Sequence, residues 1–158
     1  MMFRIYIPKN DLYSIVFSPN HQYLATASAD KTARIWSFIN GQEITCVKHE
    51  GYVYSVAFSP DSKYLATASA DKTARIWEVQ SGQEISRLTN NDIKTVIFSS
   101  DGKYLATTNN DGTVKVWLWK SDDLILEACN RLRRNLTPDE WQQYLKDESY
   151  CKTCLNIE

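Results

Sequence analysis

A 23-residue stretch occurs three times in this chain, and no other feature of the sequence limits the fold so strongly. SIVFSPNHQYLATASADKTARIW runs from Ser14 to Trp36, and SVAFSPDSKYLATASADKTARIW, identical at 18 of 23 positions, runs from Ser55 to Trp77. A more divergent copy, TVIFSSDGKYLATTNNDGTVKVW, runs from Thr95 to Trp117, so the copies are spaced by 41 and 40 residues. A repeat of this length cannot bury its own faces, and consecutive copies are therefore expected to stack on one another.

The middle copy and the residues after it predict four short strands. Residues 53–59 (VYSVAFS) alternate apolar and small polar side chains, and residues 64–69 (YLATAS) form a second run. A tight turn at Asp71-Lys72 precedes residues 73–77 (TARIW), and a fourth run covers residues 84–88 (EISRL). Short turns between consecutive strands indicate antiparallel pairing, so each copy predicts one four-stranded sheet of an all-β fold.

The copies resemble the WD40 repeat, and the resemblance covers roughly residues 3–118. VAFSPDSKYLATASADKTARIW carries the resemblance most closely. It implies a partial β-propeller of three four-stranded antiparallel blades. It also implies that hydrogen bonds among a His, a Ser or Thr, an Asp and a Trp hold each blade together. The matching positions are His49, Ser69, Asp71 and Trp77 in the middle blade, Ser28, Asp30 and Trp36 in the first, and Asp111 and Trp117 in the third.

Two of the three blades depart from this hydrogen-bonding pattern. Pro8 occupies the His position of the first blade. In the third blade, Asn109 stands at the Ser position and Asn90 lies near the His position. These blades are therefore expected to be less rigid than the middle one, although the Asp at each turn still favours closure of that turn.

The two ends of the repeat region predict how the sheets are completed. No fourth strand follows Trp117, whereas residues 3–6 lie 41 residues ahead of residues 44–47, which occupy a fourth-strand position. Residues 3–6 are therefore expected to complete the last blade, or that of a partner, within a blade domain at residues 1–119. Closed propellers have about 4–8 blades, so three alternatives stay open. Two copies form a six-blade homodimer, the chain is part of a longer propeller, or it is an open arc.

Residues 120–158 change to a helical pattern. Ile125, Cys129, Leu132 and Leu136 are spaced by 4, 3 and 4 residues, and residues 137–140 (TPDE) form a capping box with proline at the first helical position. This pattern predicts a short C-terminal helical hairpin. The segment also resembles the extension that follows the repeats in cyanobacterial multidomain signalling proteins, including STAND-type NTPases. That resemblance implies an alternative function, as a regulatory or sensor remnant, or a fragment, of a larger signalling NTPase or effector. Because the sequence contains no GxxxxGK[ST] phosphate loop, NTPase activity is not carried over.

Charge and cysteine patterns argue against several classes of function. The 19 acidic and 18 basic residues nearly cancel, so neither nucleic acid nor membrane is expected as a partner. No apolar run reaches the 18 residues of a transmembrane helix. The pair Cys151 and Cys154 lacks the further ligands that a zinc site needs, and the cysteines are expected to be reduced thiols of a cytoplasmic protein. We therefore expect no metal and no cofactor.

Three other sets of residues have both a functional and a structural interpretation. His49 beside Asp71 could form a base and its orienting partner, but no nucleophile accompanies them, and the blade pattern already explains both residues. Arg34, Arg75 and Lys115 occupy equivalent positions and could line a phosphate-binding face, or simply lie on the solvated or interblade side of their strands. His21 is expected to be solvated in a surface turn. The structural interpretation is favoured throughout, and no enzymatic activity is expected.

The loops that precede the first strands are the best candidates for function. The three copies differ there, whereas the scaffold around them is repeated, and the difference reflects either partner docking or ordinary variation of loops. Tyrosine is favoured at protein interfaces because it buries a large area with little loss of rotamer freedom. The sequence therefore predicts a non-catalytic protein–protein interaction scaffold with candidate contacts at Asp11, Tyr13, Tyr52, Tyr54, Asp92 and Lys94.

Overall fold

The computed structural model describes residues 11–90, 93–120, 123–124 and 127. The chain divides into two compact units, Met1–Trp117 and Leu118–Glu158. The described residues contain three antiparallel sheets in which consecutive strands pair. Sheet 1 comprises β1 (Leu12–Phe17), β2 (Tyr23–Ser28), β3 (Thr32–Ser37) and β4 (Glu43–Lys48); sheet 2 comprises β5 (Val53–Phe58), β6 (Tyr64–Ser69), β7 (Thr73–Glu78) and β8 (Glu84–Thr89); sheet 3 comprises β9 (Ile93–Phe98), β10 (Tyr104–Asn109) and β11 (Val114–Leu118).

The all-β fold expected from the repeats is confirmed, and each copy supplies the first three strands of one sheet. The strand expected at residues 3–6 lies outside the described residues, so sheet 3 has three described strands. The C-terminal helical hairpin also lies outside them, apart from Asp123, Leu124 and Glu127, which are helical. Both remain predictions.

The turn between the second and third strands shows how local sequence directs each sheet. The Asp30 carboxylate accepts hydrogen bonds from the backbone N–H of Thr32 at 2.9 Å and from its hydroxyl at 2.5 Å. Between them, Lys31 adopts a φ of 70°, which is uncommon for a residue other than glycine. Lys72 repeats this conformation in sheet 2, whereas the third copy has Gly112 at the equivalent position. The aspartate side chain therefore holds the turn even where the residue with positive φ is a lysine instead of a glycine.

Apolar side chains of sheets 1 and 2 form the main buried cluster. Ala33 and Ile35 of β3 lie in it together with Val53, Val56 and Phe58 of β5. The small alanine side chains of sheet 1 let the larger side chains of the next sheet pack closely. The first strands contact one another in the order β1, β5, β9, so the three sheets lie side by side with these strands innermost.

Candidate protein-binding surface

Each innermost strand contains a β-bulge at the same position. In β1, Leu12 pairs with Ser28 whereas Ser14 pairs with Ala27, which leaves Tyr13 as the extra residue. Tyr54 and Lys94 are the extra residues at the corresponding register shifts of β5 and β9. A bulge redirects the side chain of its extra residue, and bulges are common beside functional sites.

The bulges bring four of the six candidate side chains together. The ring of Tyr13 lies 5.5 Å from that of Tyr54, edge to face, and 6.4 Å from that of Tyr52, measured between centroids. The Lys94 ammonium group lies 4.1 Å from the centre of the Tyr54 ring. Tyr13 and Tyr52 are 45% and 48% exposed, whereas Tyr54 and Lys94 are half-buried. We call Tyr13, Tyr52, Tyr54 and Lys94 the tyrosine cluster.

The other two candidates have different surroundings. Asp11 is exposed just before β1, and its backbone carbonyl accepts a hydrogen bond from the N–H of Ala29 at 2.9 Å. The carbonyl of Tyr52 makes the equivalent bond with Ala70 at 2.8 Å, so the same backbone contact anchors both loops. Asp92 lies outside the described residues.

A chain of buried hydrogen bonds holds sheet 2 together. Nδ1 of His49 lies 2.9 Å from Oδ2 of Asp71, and its Nε2 lies 2.7 Å from the hydroxyl of Thr67. The indole N–H of Trp77 donates to the same hydroxyl at 2.9 Å. The hydroxyl between the histidine and the tryptophan therefore belongs to Thr67, whereas Ser69 contacts the other side of the network. The Ser69 hydroxyl accepts a bond from the Asp71 N–H at 3.1 Å.

The electrostatics of this network favour a neutral histidine beside a charged aspartate. Burial lowers the pKa of His49 below its ordinary value and outweighs the hydrogen bond to Asp71, which acts in the opposite direction. Burial would raise the pKa of Asp71, but the hydrogen bonds donated by Thr73 and His49 outweigh it and hold that pKa well below its usual range. The neutral imidazole thus donates from Nδ1 and accepts at Nε2. Both ring nitrogens are therefore occupied by contacts within the network.

The outer sheets keep only parts of this network. The indole N–H of Trp36 donates to Thr26 at 3.1 Å, and that of Trp117 donates to Thr107 at 3.0 Å. Asn90, which follows β8, donates a side-chain hydrogen bond to Asn109 of β10 at 2.9 Å. Pro8 lies outside the described residues, whereas Ser28 and Asp30 are joined by a bond from the Asp30 N–H to the Ser28 hydroxyl at 3.1 Å. In sheet 3 the Asp111 carboxylate closes the turn by accepting a bond from the Thr113 hydroxyl at 2.7 Å.

The repeated basic residues bind polar side chains near them. Arg75 is buried and donates to Asp71 at 2.8 Å, and Arg34 donates to Glu43 at 2.8 Å. The ammonium group of Lys115 donates to Asn90 at 2.6 Å. These contacts support the structural interpretation of all three side chains. His21 is exposed in a turn with a φ of 58°.

The described residues hold neither a metal-binding cluster nor a membrane-spanning helix. They contain no group of three or more His, Cys, Asp or Glu side chains that could hold a metal ion. No helix in the described part of the chain has the length and apolar character needed to cross a membrane. Cys46 is a free thiol, whereas Cys151 and Cys154 lie outside the described residues.

A family model described as "WD domain, G-beta repeat" matches residues 4–37, 41–78 and 82–117, which is more than half of the chain. The matched segment 41–78 contains β4 of sheet 1 together with β5, β6 and β7 of sheet 2. One repeat therefore joins two neighbouring sheets. The matches end at residue 117, so the resemblance of residues 120–158 to extensions of STAND-type proteins stays a prediction.

Solved structures that are similar to this chain include the following two. "Structure of U3-55K" has a TM-score of 0.68 and 26% identity, and the match covers 72% of this chain and 38% of that chain. "Crystal structure of RRP9 WD40 repeats" has the same TM-score, identity and coverage of this chain, with 37% of that chain covered. This chain thus spans less than two fifths of the length of either structure. Comparison with curated proteins found no match.

Proposed function

Because this chain belongs to the family of WD40-repeat proteins, we propose that it is a non-catalytic scaffold whose tyrosine cluster binds a protein partner. Proteins of this family generally act as interaction scaffolds rather than as enzymes. The observation that carries the proposal is the convergence of three bulged residues and Tyr52 at one edge of the innermost strands.

The cluster has the chemistry of an interface anchor. Tyr13 and Tyr52 expose nearly half of their surface, while contacts with Tyr54 support the Tyr13 ring. Ordering these side chains on binding therefore costs little conformational entropy. The Lys94 ammonium group beside Tyr54 adds a positive charge. This arrangement fits a partner segment that places an apolar side chain against the tyrosine rings and a carboxylate near Lys94.

Paired substitution tests this role. We expect Tyr52→Ala with Tyr54→Ala to weaken partner binding at least tenfold, because central aromatic anchors contribute about 2 kcal/mol or more each. Ile85→Ala is the matched control, since Ile85 is an exposed apolar residue on β8, the outermost strand of sheet 2. Proteins retained from an extract of the source cells are quantified by mass spectrometry for the unsubstituted chain and both variants.

Proteins that the control retains and the double variant loses are then purified, and their binding is measured by titration. Far-UV circular dichroism checks that both variants keep the native sheet content. If the double variant, folded as the control is, retains the same proteins with the same affinity, the tyrosine cluster is not the binding site.

A further inference from the structure

Sheet 1 exposes apolar side chains that are buried at the equivalent positions of the other sheets. Ile15 is 61% exposed and Phe17 is 53% exposed, whereas their counterparts in sheet 2, Val56 and Phe58, are 5% and 7% exposed. Val96 and Phe98 of sheet 3 are buried like those of sheet 2. In sheets 2 and 3 these side chains pack toward the preceding sheet, and sheet 1 has no preceding sheet among the described residues. Leu12, Ile15 and Phe17 form what we call the first-strand face.

Sheet 3 shows the complementary pattern on its opposite side. Val114 and Val116 of β11 are 62% and 65% exposed, whereas the equivalent Ala33 and Ile35 of sheet 1 are completely buried. Tyr104 is also exposed on this sheet. In sheets 1 and 2 these positions are covered by the following sheet. Tyr104, Val114 and Val116 form what we call the third-strand face.

The contact between sheets 1 and 2 shows that these two faces are halves of one kind of interface. Val56 and Phe58 share a buried cluster with Ala33 and Ile35. Across the same boundary, the ring of Tyr23 stacks on that of Phe58 with centroids 6.4 Å apart. Phe17 is the counterpart of Phe58 and Tyr104 that of Tyr23, and both are exposed. The two terminal faces therefore carry the partners of a contact that the chain already makes internally.

Polar contacts at the rim of this boundary set the relative position of the sheets. The Thr45 hydroxyl donates to the carbonyl of Val79 at 2.9 Å. The Gln80 side chain donates to the Tyr23 hydroxyl at 2.6 Å. An interface that combines an apolar centre with a polar rim is typical of specific association between proteins.

We propose that a second copy of this chain covers both faces, with the first-strand face of each copy packed on the third-strand face of the other. The contact is heterologous, meaning that it joins two different surfaces. The boundary between sheets 1 and 2 likewise joins the third strand of one sheet to the first strand of the next. Two copies joined twice in this way place six sheets in one ring, which lies within the range of about 4–8 blades at which propellers close. This assembly does not depend on the proposed role of the tyrosine cluster.

Charge substitution on each face tests the arrangement in the full 158-residue chain. In analytical ultracentrifugation at micromolar concentration, the unsubstituted chain is expected to have twice the 18.2 kDa mass of one chain. Ile15→Glu and Val116→Glu place a carboxylate on the first-strand and third-strand faces respectively, and each variant alone is expected to be monomeric. Ile85→Glu, on an exposed position of β8, is the matched control and is expected to stay dimeric.

Mixing the two variants distinguishes this arrangement from pairing of like faces. In a mixed dimer, the unmodified third-strand face of the Ile15→Glu chain meets the unmodified first-strand face of the Val116→Glu chain. One of the two interfaces is therefore intact, and the mixture is expected to form dimers with at least tenfold stronger association than either variant alone. Circular dichroism confirms folding of each variant before sedimentation. The proposal is overturned if the unsubstituted chain is monomeric, if it forms open polymers, if only one of the two variants dissociates, or if the mixture stays monomeric.

Discussion

Replacing Thr67 with Val isolates the contribution of the central hydrogen-bond chain to stability. Thr67 is completely buried, and its hydroxyl lies between the Trp77 indole at 2.9 Å and Nε2 of His49 at 2.7 Å. Valine has almost the same shape but no hydroxyl, so the substitution removes both bonds, together with a longer contact to the Arg75 carbonyl at 3.3 Å, without opening a cavity. A buried polar group left without a partner costs about 1–3 kcal/mol. Two such groups predict a loss of about 3 kcal/mol in the free energy of unfolding.

One equivalent threonine and one conservative substitution of Thr67 provide internal controls for this measurement. The Thr26 hydroxyl accepts the Trp36 indole N–H at 3.1 Å but has no histidine as a second partner in the described structure, so Thr26→Val is expected to cost about 1–1.5 kcal/mol. Thr67→Ser keeps the hydroxyl and loses one methyl group, which predicts a cost of about 1 kcal/mol. The excess loss in Thr67→Val over Thr26→Val measures the connection to His49.

Urea unfolding, followed by tryptophan fluorescence and circular dichroism, measures these differences. All variants are compared at one protein concentration, because association of the native state adds to apparent stability. The expected order of destabilisation is Thr67→Val first, followed by Thr26→Val and Thr67→Ser at similar values. If Thr67→Val costs no more than Thr67→Ser, the bonds of the hydroxyl contribute nothing measurable, and the reasoning is refuted.

Two further predictions concern pH and glycine. Because burial lowers the pKa of His49 below 6.5, the unfolded chain binds a proton more readily than the native chain, and the free energy of unfolding should fall as the pH drops below 6.5. Urea unfolding at pH 7.5 and 5.5 should show a smaller fall in the His49→Gln variant than in the unsubstituted chain. An equal fall would contradict the assignment of this pH dependence to His49. Gly82 has a φ of 70°, and an added Cβ would lie 2.6 Å from Cγ2 of Thr45, so Gly82→Ala should cost about 2–3 kcal/mol. Gly112 has a φ of 80°, but an added Cβ would have no heavy atom within 4 Å, so Gly112→Ala should cost about 1 kcal/mol. Equal losses of stability for Gly82→Ala and Gly112→Ala in thermal unfolding would show that the Thr45 contact is unimportant.

The candidate surface was only partly predictable. Differences among the three copies assigned Tyr13, Tyr54 and Lys94 to the loops that precede the first strands, and this placement was wrong. All three residues lie inside those strands, at bulges that an alternating pattern of side chains does not reveal. A bulge depends on hydrogen-bond register with the neighbouring strand, and nothing in the residue types at these positions requires one. The close approach of the three side chains depends further on the packing of three sheets.

The hydrogen-bond network shows the same limit in the buried part of the molecule. The resemblance to the WD40 repeat grouped His49, Ser69, Asp71 and Trp77 in one set. In the structure His49 contacts Asp71 through Nδ1 and the Trp77 ring through its edge. Thr67 was missed, although YLATAS contains a threonine two residues before Ser69 in the same strand. Since side chains two residues apart point to the same face of a strand, either hydroxyl was a possible partner for the indole. Only the distances between strands distinguish them.

Short-range patterns were sufficient to place the strands and turns between Leu12 and Leu118. Alternating side chains and turn-forming Asp and Gly residues act through neighbours a few positions away, and near-identical copies repeat those interactions. Packing between distant segments determines which side chains become buried. Val56 and Ile15 occupy equivalent positions in such copies. Sheet 1 covers Val56, whereas no sheet among the described residues covers Ile15, which stays exposed. The environment of a repeated residue depends on the sheets beside it, and that information is absent from the repeat itself.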